Sequence, residues 1–186
     1  RTEEAEEFYR RAFAIEEGIL GANHLDVATT LQNLGMCALK AGRSDEAKAY
    51  HRRALKIREK QLGNDHLDVA TTLNNLGMCA LEKGWLEEAE TYHRRALKIR
   101  EKQLGDDHVD VATNLDNLGM CTYEAWKTEK AEAYHRRALK IREKQLGDDH
   151  LDAATTLNNL GMCALKAWRT EEAGAYHRRA LKIRKK

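Results

Sequence analysis

Proline is absent from this sequence of 186 residues. Its ring removes a backbone donor and clashes inside a helix, so nothing in the chain obliges a helix to break. Aromatic residues are scarce, with only two phenylalanines. Alanine, leucine, glutamate, lysine and arginine dominate instead, the composition of a helical protein. Net charge is also lacking: 32 basic residues face 30 acidic ones, leaving +2. The two signs are interleaved, which fits solvated helical faces and excludes a charged tail. No run approaches the roughly 18 apolar residues of a membrane helix, so no membrane partner is expected. Arg1 to Glu7 is polar, so no signal peptide is expected within these residues. Catalytic signatures are missing too. There is no Gly-rich phosphate loop, no Gly-x-Ser-x-Gly and no His-Glu-x-x-His, so no enzyme activity and no cofactor are expected.

What the sequence does have is a period. Leu-Gly-Met-Cys begins at Leu34, Leu76, Leu118 and Leu160, and His-Arg-Arg-Ala-Leu-Lys-Ile-Arg at His51, His93, His135 and His177, each step being 42 residues. Residues 61–102 and 145–186 share 32 of 42 positions. Such self-similarity signals a repeat architecture. The four cysteines, Cys37, Cys79, Cys121 and Cys163, obey the same step. Helices pack about 8–10 Å apart and a disulfide needs alpha carbons within about 7 Å, so equivalent cysteines should stay free. Free thiols suit a reducing compartment, and a cytoplasmic location is expected.

Each unit reads as two helices. From about Leu25 to Ala41, Ala28, Leu31, Leu34, Gly35 and Ala38 recur at spacings of three and four, one face of a helix. From Ser44 to Leu62, Ala47, Ala54, Leu55 and Ile57 form the second buried side, with Ser44 or Asp45 as cap and Gly63 as terminator. Neither helix can hide its apolar face alone, and stacked pairs can. Gly35 and Ala54 would let the two helices of a pair approach closely. Residues 5–12 align with 47–54, so the first helix is a second-of-pair helix. The expected fold is all-α: a right-handed superhelical solenoid of antiparallel helix pairs with about nine helices. It would be one array over 1–186, with the unpaired helix in 1–21 and repeats at about 22–63, 64–105, 106–147 and 148–186. Neither end carries an obvious polar cap, which would favour end-to-end association.

The pattern Leu31-x-x-Leu34-Gly35, then Ala47, then Ala54, resembles the tetratricopeptide motif over essentially the whole chain. The 42-residue length is similar to the long-repeat branch, which includes kinesin light chains and the nephrocystin family. The sequence departs from that pattern at the usual aromatic of the first helix (Ala38, Ala80, Thr122, Ala164). It departs again at the second-helix aromatic, replaced by His51 and its equivalents, and at the turn proline, replaced by Leu25, Leu67 and Val109. The resemblance implies that the first helices line a concave face. Helical spacing then turns Thr29, Gln32, Asn33, Met36 and Lys40 toward it. The candidate peptide-binding ladder is therefore Asn33, Asn75, Asn117 and Asn159, with Met36, Met78, Met120 and Met162. The neighbouring rungs Gln32, Asn74, Asp116 and Asn158 vary in charge. An amide both donates and accepts, so it can pair with any peptide backbone, and methionine gives adaptable apolar contact. The same asparagines could instead hydrogen-bond between helices and hold curvature, and the methionines could equally belong in part to the core.

Three further patterns stand outside that ladder. Gly42 and Gly84 are replaced by Trp126 and Trp168, and Trp85 follows Gly84. Such tryptophans could anchor a partner or pack over a neighbouring repeat. If the turn needs positive φ, a tryptophan is strained there, so these turns should be reshaped. The histidine ladders cannot close a zinc site at repeat spacing, and no metal is expected. Arg52, Arg53, Lys56, Arg58 and Lys60 recur as a basic stripe, read as a salt-bridged convex face, with no nucleic acid expected. The expected function is a protein-interaction scaffold that binds a peptide or helical segment of a partner in its concave groove. The alternative is a self-assembly module of a larger signalling or transport protein.

Overall fold

The computed structural model describes residues 2–185, and among them the chain is all-α. Nine helices follow one another: α1 (Thr2–Leu20), α2 (Leu25–Lys40), α3 (Ser44–Leu62), α4 (Leu67–Glu82), α5 (Leu86–Leu104), α6 (Val109–Glu124), α7 (Thr128–Leu146), α8 (Leu151–Lys166) and α9 (Thr170–Arg184). The fold is a stack of antiparallel helix pairs, the solenoid class that the period implies. The chain divides into two compact units, one up to Ile99 and one from Arg100 onward. In the first, α1 packs on α2, α2 on α3 and α3 on α4. In the second, α6 packs on α7, α7 on α8 and α8 on α9.

Local chemistry sets the helix ends. His24, His66, His108 and His150 cap α2, α4, α6 and α8: each Nδ1 accepts the backbone N–H two residues on, at 3.1–3.2 Å. That satisfies one of the donors a helix start leaves open. Neither Ser44 nor Asp45 caps α3. Arg43 takes the N-cap position without a side-chain bond, and the Ser44 hydroxyl donates to Glu82 at 2.7 Å on the next pair. Gly63 and Gly147 end α3 and α7 with φ of 83° and 89°.

Burial follows the periodic face. Val27, Ala28, Leu31, Ala54 and Ile57 make one core layer, with Phe13 and Tyr50 against it. Val69, Ala70, Leu73, Ala96 and Ile99 repeat it. In the second unit Leu139, Ala153, Ala154, Leu157, Leu160, Ala180 and Ile183 form the corresponding layer. The helices of a pair close upon a histidine ring. A Cβ at Gly35 would lie 2.5 Å from the His51 ring, and at Gly77 and Gly161 equally close to His93 and His177. The glycine thus makes the slot that the ring fills, which is why histidine can stand where the related motif has an aromatic.

The tryptophan turns are not reshaped. Trp126 and Trp168 adopt φ of 60° and 61°, beside 74° and 72° at Gly42 and Gly84. The closing bonds match as well: Arg43 N to Ala38 O at 2.9 Å, Trp85 N to Ala80 O at 2.9 Å, Lys127 N to Thr122 O at 2.8 Å and Arg169 N to Ala164 O at 2.9 Å. Six-residue closure of this kind satisfies the last carbonyls of a helix. It is retained even where the residue pays a steric penalty.

Candidate functional site

Residues 29, 33, 36 and 40 stand four, three and four apart, a single stripe along α2. In the first unit Thr29 and Lys40 are exposed, and Asn33 and Met36 are half-buried. On α4 Met78 and Glu82 are exposed, while Asn75 is buried. In the second unit Asn117 and Met120 on α6, and Asn159 and Met162 on α8, are half-buried. Thr29, Thr71, Thr113 and Thr155 direct their hydroxyls to the carbonyl four residues earlier, at 3.1–3.3 Å. On α2, α6 and α8 a half-buried asparagine therefore lies three residues before a half-buried methionine.

The rung one residue earlier lies about 100° round the helix and meets different neighbours. Gln32 accepts from Arg58 of α3. Arg58 also donates to Thr72 Oγ1 at 2.6 Å and to Asp68 O at 3.3 Å, tying α3 to α4. In the second unit Arg100 donates to Asn114 at 2.6 Å and to Asp110 O at 3.2 Å. Asp116 is buried and accepts from Arg142, from His135 Nδ1 at 2.7 Å and from Thr156 at 2.8 Å. Asn158 accepts from His177 Nδ1 at 3.1 Å. Asn74 lies with Nδ2 3.9 Å from Met78 Sδ. Gln32, Asp116 and Asn158 thus bond to the second helix of their own pair.

Arg58, Arg100 and Arg142 belong to the basic stripe by sequence pattern, which marks them as surface, yet they are buried. Burial pulls the Arg58 and Arg100 guanidinium groups below their ordinary value, opposed by Asp68 and Asp110. A second member of the stripe forms a ladder of ion pairs. Arg53 meets Glu17, Arg95 meets Glu59 at 2.7 Å, Arg137 meets Glu101 at 2.8 Å and Arg179 meets Glu143 at 2.6 Å. Lys56, Lys98, Lys140 and Lys182 remain exposed.

The tryptophans differ in how they are held. Lys48 lies 3.9 Å from the Trp85 ring centre. Lys166 lies 3.8 Å from that of Trp126 and 4.0 Å from that of Tyr123, and it donates to Tyr123 O at 2.7 Å. Trp168 is 89% exposed. The four cysteines are free and buried. Burial pushes the Cys79 and Cys163 thiols up to about 11, which leaves them protonated and poor nucleophiles. Among the described residues, no group of three or more His, Cys, Asp or Glu side chains is placed to hold a metal ion. No described helix is long and apolar enough to cross a membrane.

Comparison with known proteins agrees with this geometry. A family model described as tetratricopeptide repeat matches residues 1–60, 33–102, 68–144 and 127–186. The crystal structure of BtubC (BKLC) from P. vanneervenii is similar at 30% identity, covering 98% of this chain and 73% of that one, with a TM-score of 0.87. The crystal structure of a putative kinesin light chain from Podosopora anserina, with nearly identical TPR-like repeats, matches at 18% identity. It covers 98% of this chain and 87% of that one, with a TM-score of 0.81. The crystal structure of the apo form of RapI matches at 20% identity over 94% of this chain and 61% of that one, with a TM-score of 0.81. Among curated proteins there is no match.

Proposed function

The chain belongs to the tetratricopeptide repeat family, and on that footing we propose that it is a protein-interaction scaffold that holds an extended peptide or helical segment of a partner along its first helices. The observation that carries this reading is the stripe of half-buried asparagines and methionines on α2, α6 and α8. These amides sit on rigid helices whose own backbone bonds are complete, so a peptide main chain can meet them in a fixed geometry. The adjacent methionines supply apolar contact without demanding one side-chain shape. Lys40, Glu82 and Glu124 vary the charge along the stripes and would set partner preference. The chain is assigned no reaction, and its four free thiols, which suit a reducing compartment, make the cytoplasm its proposed location.

The test starts from a random-peptide display library panned on the chain. The recovered peptide is then titrated by fluorescence anisotropy. Asn33→Ala, made at a half-buried position, should weaken the peptide about tenfold, as expected for loss of hydrogen bonds to a bound backbone. Far-UV circular dichroism should be unchanged. Equal affinity for Asn33→Ala, Asn159→Ala and the unaltered chain would end the asparagine-ladder reading.

A further inference from the structure

The repeats are near copies, so a corner where several departures meet stands out. Such a corner lies in the second unit. Tyr123 stands where Leu39, Leu81 and Leu165 stand, and Trp126 where Gly42 and Gly84 stand. Lys166 stands where Glu82 and Glu124 stand, and Lys40 shares its identity. The three side chains converge: the Lys166 ammonium lies against the Tyr123 and Trp126 rings and donates to the Tyr123 carbonyl. Among the described residues no carboxylate pairs with it. Lys166 is therefore a cation framed by two rings and lacking a counter-charge.

The fold does not account for this tryptophan. Trp126 holds a φ of 60°, which glycine would hold without strain. A surface cation–π contact is weaker than that strain, so Lys166 alone does not offset it. Nor does a missing neighbour explain the exposure. The next pair is in place, with α8 packed on both α6 and α7, and Trp126 is still 79% exposed. With Lys166 against one face of the indole, the opposite face is left to solvent. Strained backbone that carries a bulky exposed side chain points to a ligand-holding role, and an indole is a frequent anchor at interfaces.

Charge selects the occupant. Trp126 lines a surface depression with Lys127, Thr128, Glu129 and Lys130. With Lys166 and Glu124 the corner carries three bases and two acids. We infer that it docks an acidic segment of a partner protein in which a carboxylate stands beside a bulky apolar side chain. The carboxylate pairs with the Lys166 ammonium, and the apolar side chain stacks on the open face of Trp126. Lys166 lies four residues beyond Met162 of the α8 stripe, but no asparagine takes part. The docking therefore stands or falls apart from peptide binding along the asparagines.

The experiment is an NMR titration of the isotope-labelled full chain, followed at the tryptophan indole N–H resonances and at the Lys127 amide. The probe is the capped tripeptide Glu-Phe-Glu, with Gln-Phe-Gln and Lys-Phe-Lys as controls. Trp126→Gly assigns the Trp126 indole and keeps the fold, since Gly42 and Gly84 fill the same turn. Glu-Phe-Glu should move the Trp126 indole and leave that of Trp85 in place, and its affinity should fall with added salt. Gln-Phe-Gln should bind about tenfold more weakly, and Lys166→Met and Trp126→Gly should each weaken Glu-Phe-Glu by about as much. Asn159→Ala should bind it as the unaltered chain does. No movement of the Trp126 indole at millimolar tripeptide would overturn the proposal. So would equal binding of Lys-Phe-Lys, an affinity that ignores Lys166→Met, or a loss on Asn159→Ala.

Discussion

The two units build the same turn from opposite materials. In the first, Gly42 and Gly84 enter the left-handed region without a Cβ to object. In the second, Trp126 and Trp168 enter it with a bulky side chain, at a cost of about 1–2 kcal/mol each. The hydrogen bonds that close the four turns are the same to within 0.1 Å. The turn residue therefore does not choose the turn. The packing of each pair fixes where one helix stops and the next starts, and the connecting residue is bent to fit. The units differ again at the seam between helices. Gln32 in the first unit and Asp116 in the second hold equivalent places. Gln32 serves Arg58, whereas Asp116 serves Arg142, His135 and Thr156 together. Where the first unit has an amide the second has a buried charge, and more neighbours depend on it.

The largest expected effect breaks that contrast. Asp116→Ala leaves the buried Arg142 without its counter-charge and should cost about 3–5 kcal/mol. Gln32→Ala removes one neutral acceptor and should cost about 1 kcal/mol. Urea unfolding followed by hydrogen exchange resolves both the size and the unit in which it falls. Equal losses would show that the carboxylate does no more than the amide.

Next comes acid sensitivity in the first unit. Burial lowers His51 from its ordinary 6.5 to about 4, with Arg58 adding to the effect. As pH falls, the unfolded chain takes the proton first. The neutral ring's contribution is intact above about pH 6.5 and is lost as pH falls toward 4, up to about 3 kcal/mol. His51→Phe should keep the ring in its slot against Gly35 and remove that part of the pH dependence. Urea midpoints at pH 7 and pH 4.5 make the measurement. A variant that loses as much stability in acid as the unaltered chain would refute the assignment.

The smallest effect sharpens the turn comparison. Trp168→Gly should relieve the left-handed strain, partly offset by the added freedom of glycine in the unfolded chain, for a net gain of about 0.5–1 kcal/mol. Trp126→Gly also forfeits the Lys166 contact, worth about 0.5–1 kcal/mol, so it should come out near zero. Thermal unfolding of the two single variants separates them. If Trp126→Gly gains as much as Trp168→Gly, the lysine contact adds nothing.

Much of the fold is legible without coordinates. The 42-residue step locates the helix pairs, and the three-and-four spacing of Leu31, Leu34, Gly35 and Ala38 picks out residues that are wholly or almost wholly buried. The start of α3 at Ser44 and its end at Leu62 also follow from the sequence. Arg58 misleads, because a charged residue among other charged residues reads as surface. Its burial depends on Thr72 and the Asp68 carbonyl of the next pair, 10 to 14 residues on. Asp116 misleads for a related reason. It stands beside Asn117, but one residue is about 100° of rotation, enough to turn a side chain from one face of the helix into the seam between helices.

The helices, their pairing and the period are written in the residue order alone, because they rest on backbone sterics and on apolar spacing within one repeat. Which polar side chains face inward, and which conformation the tryptophan turns accept, follows from three-dimensional packing instead. Those outcomes depend on the distance between two packed helices, which glycine at one position and a histidine ring sixteen residues later set together.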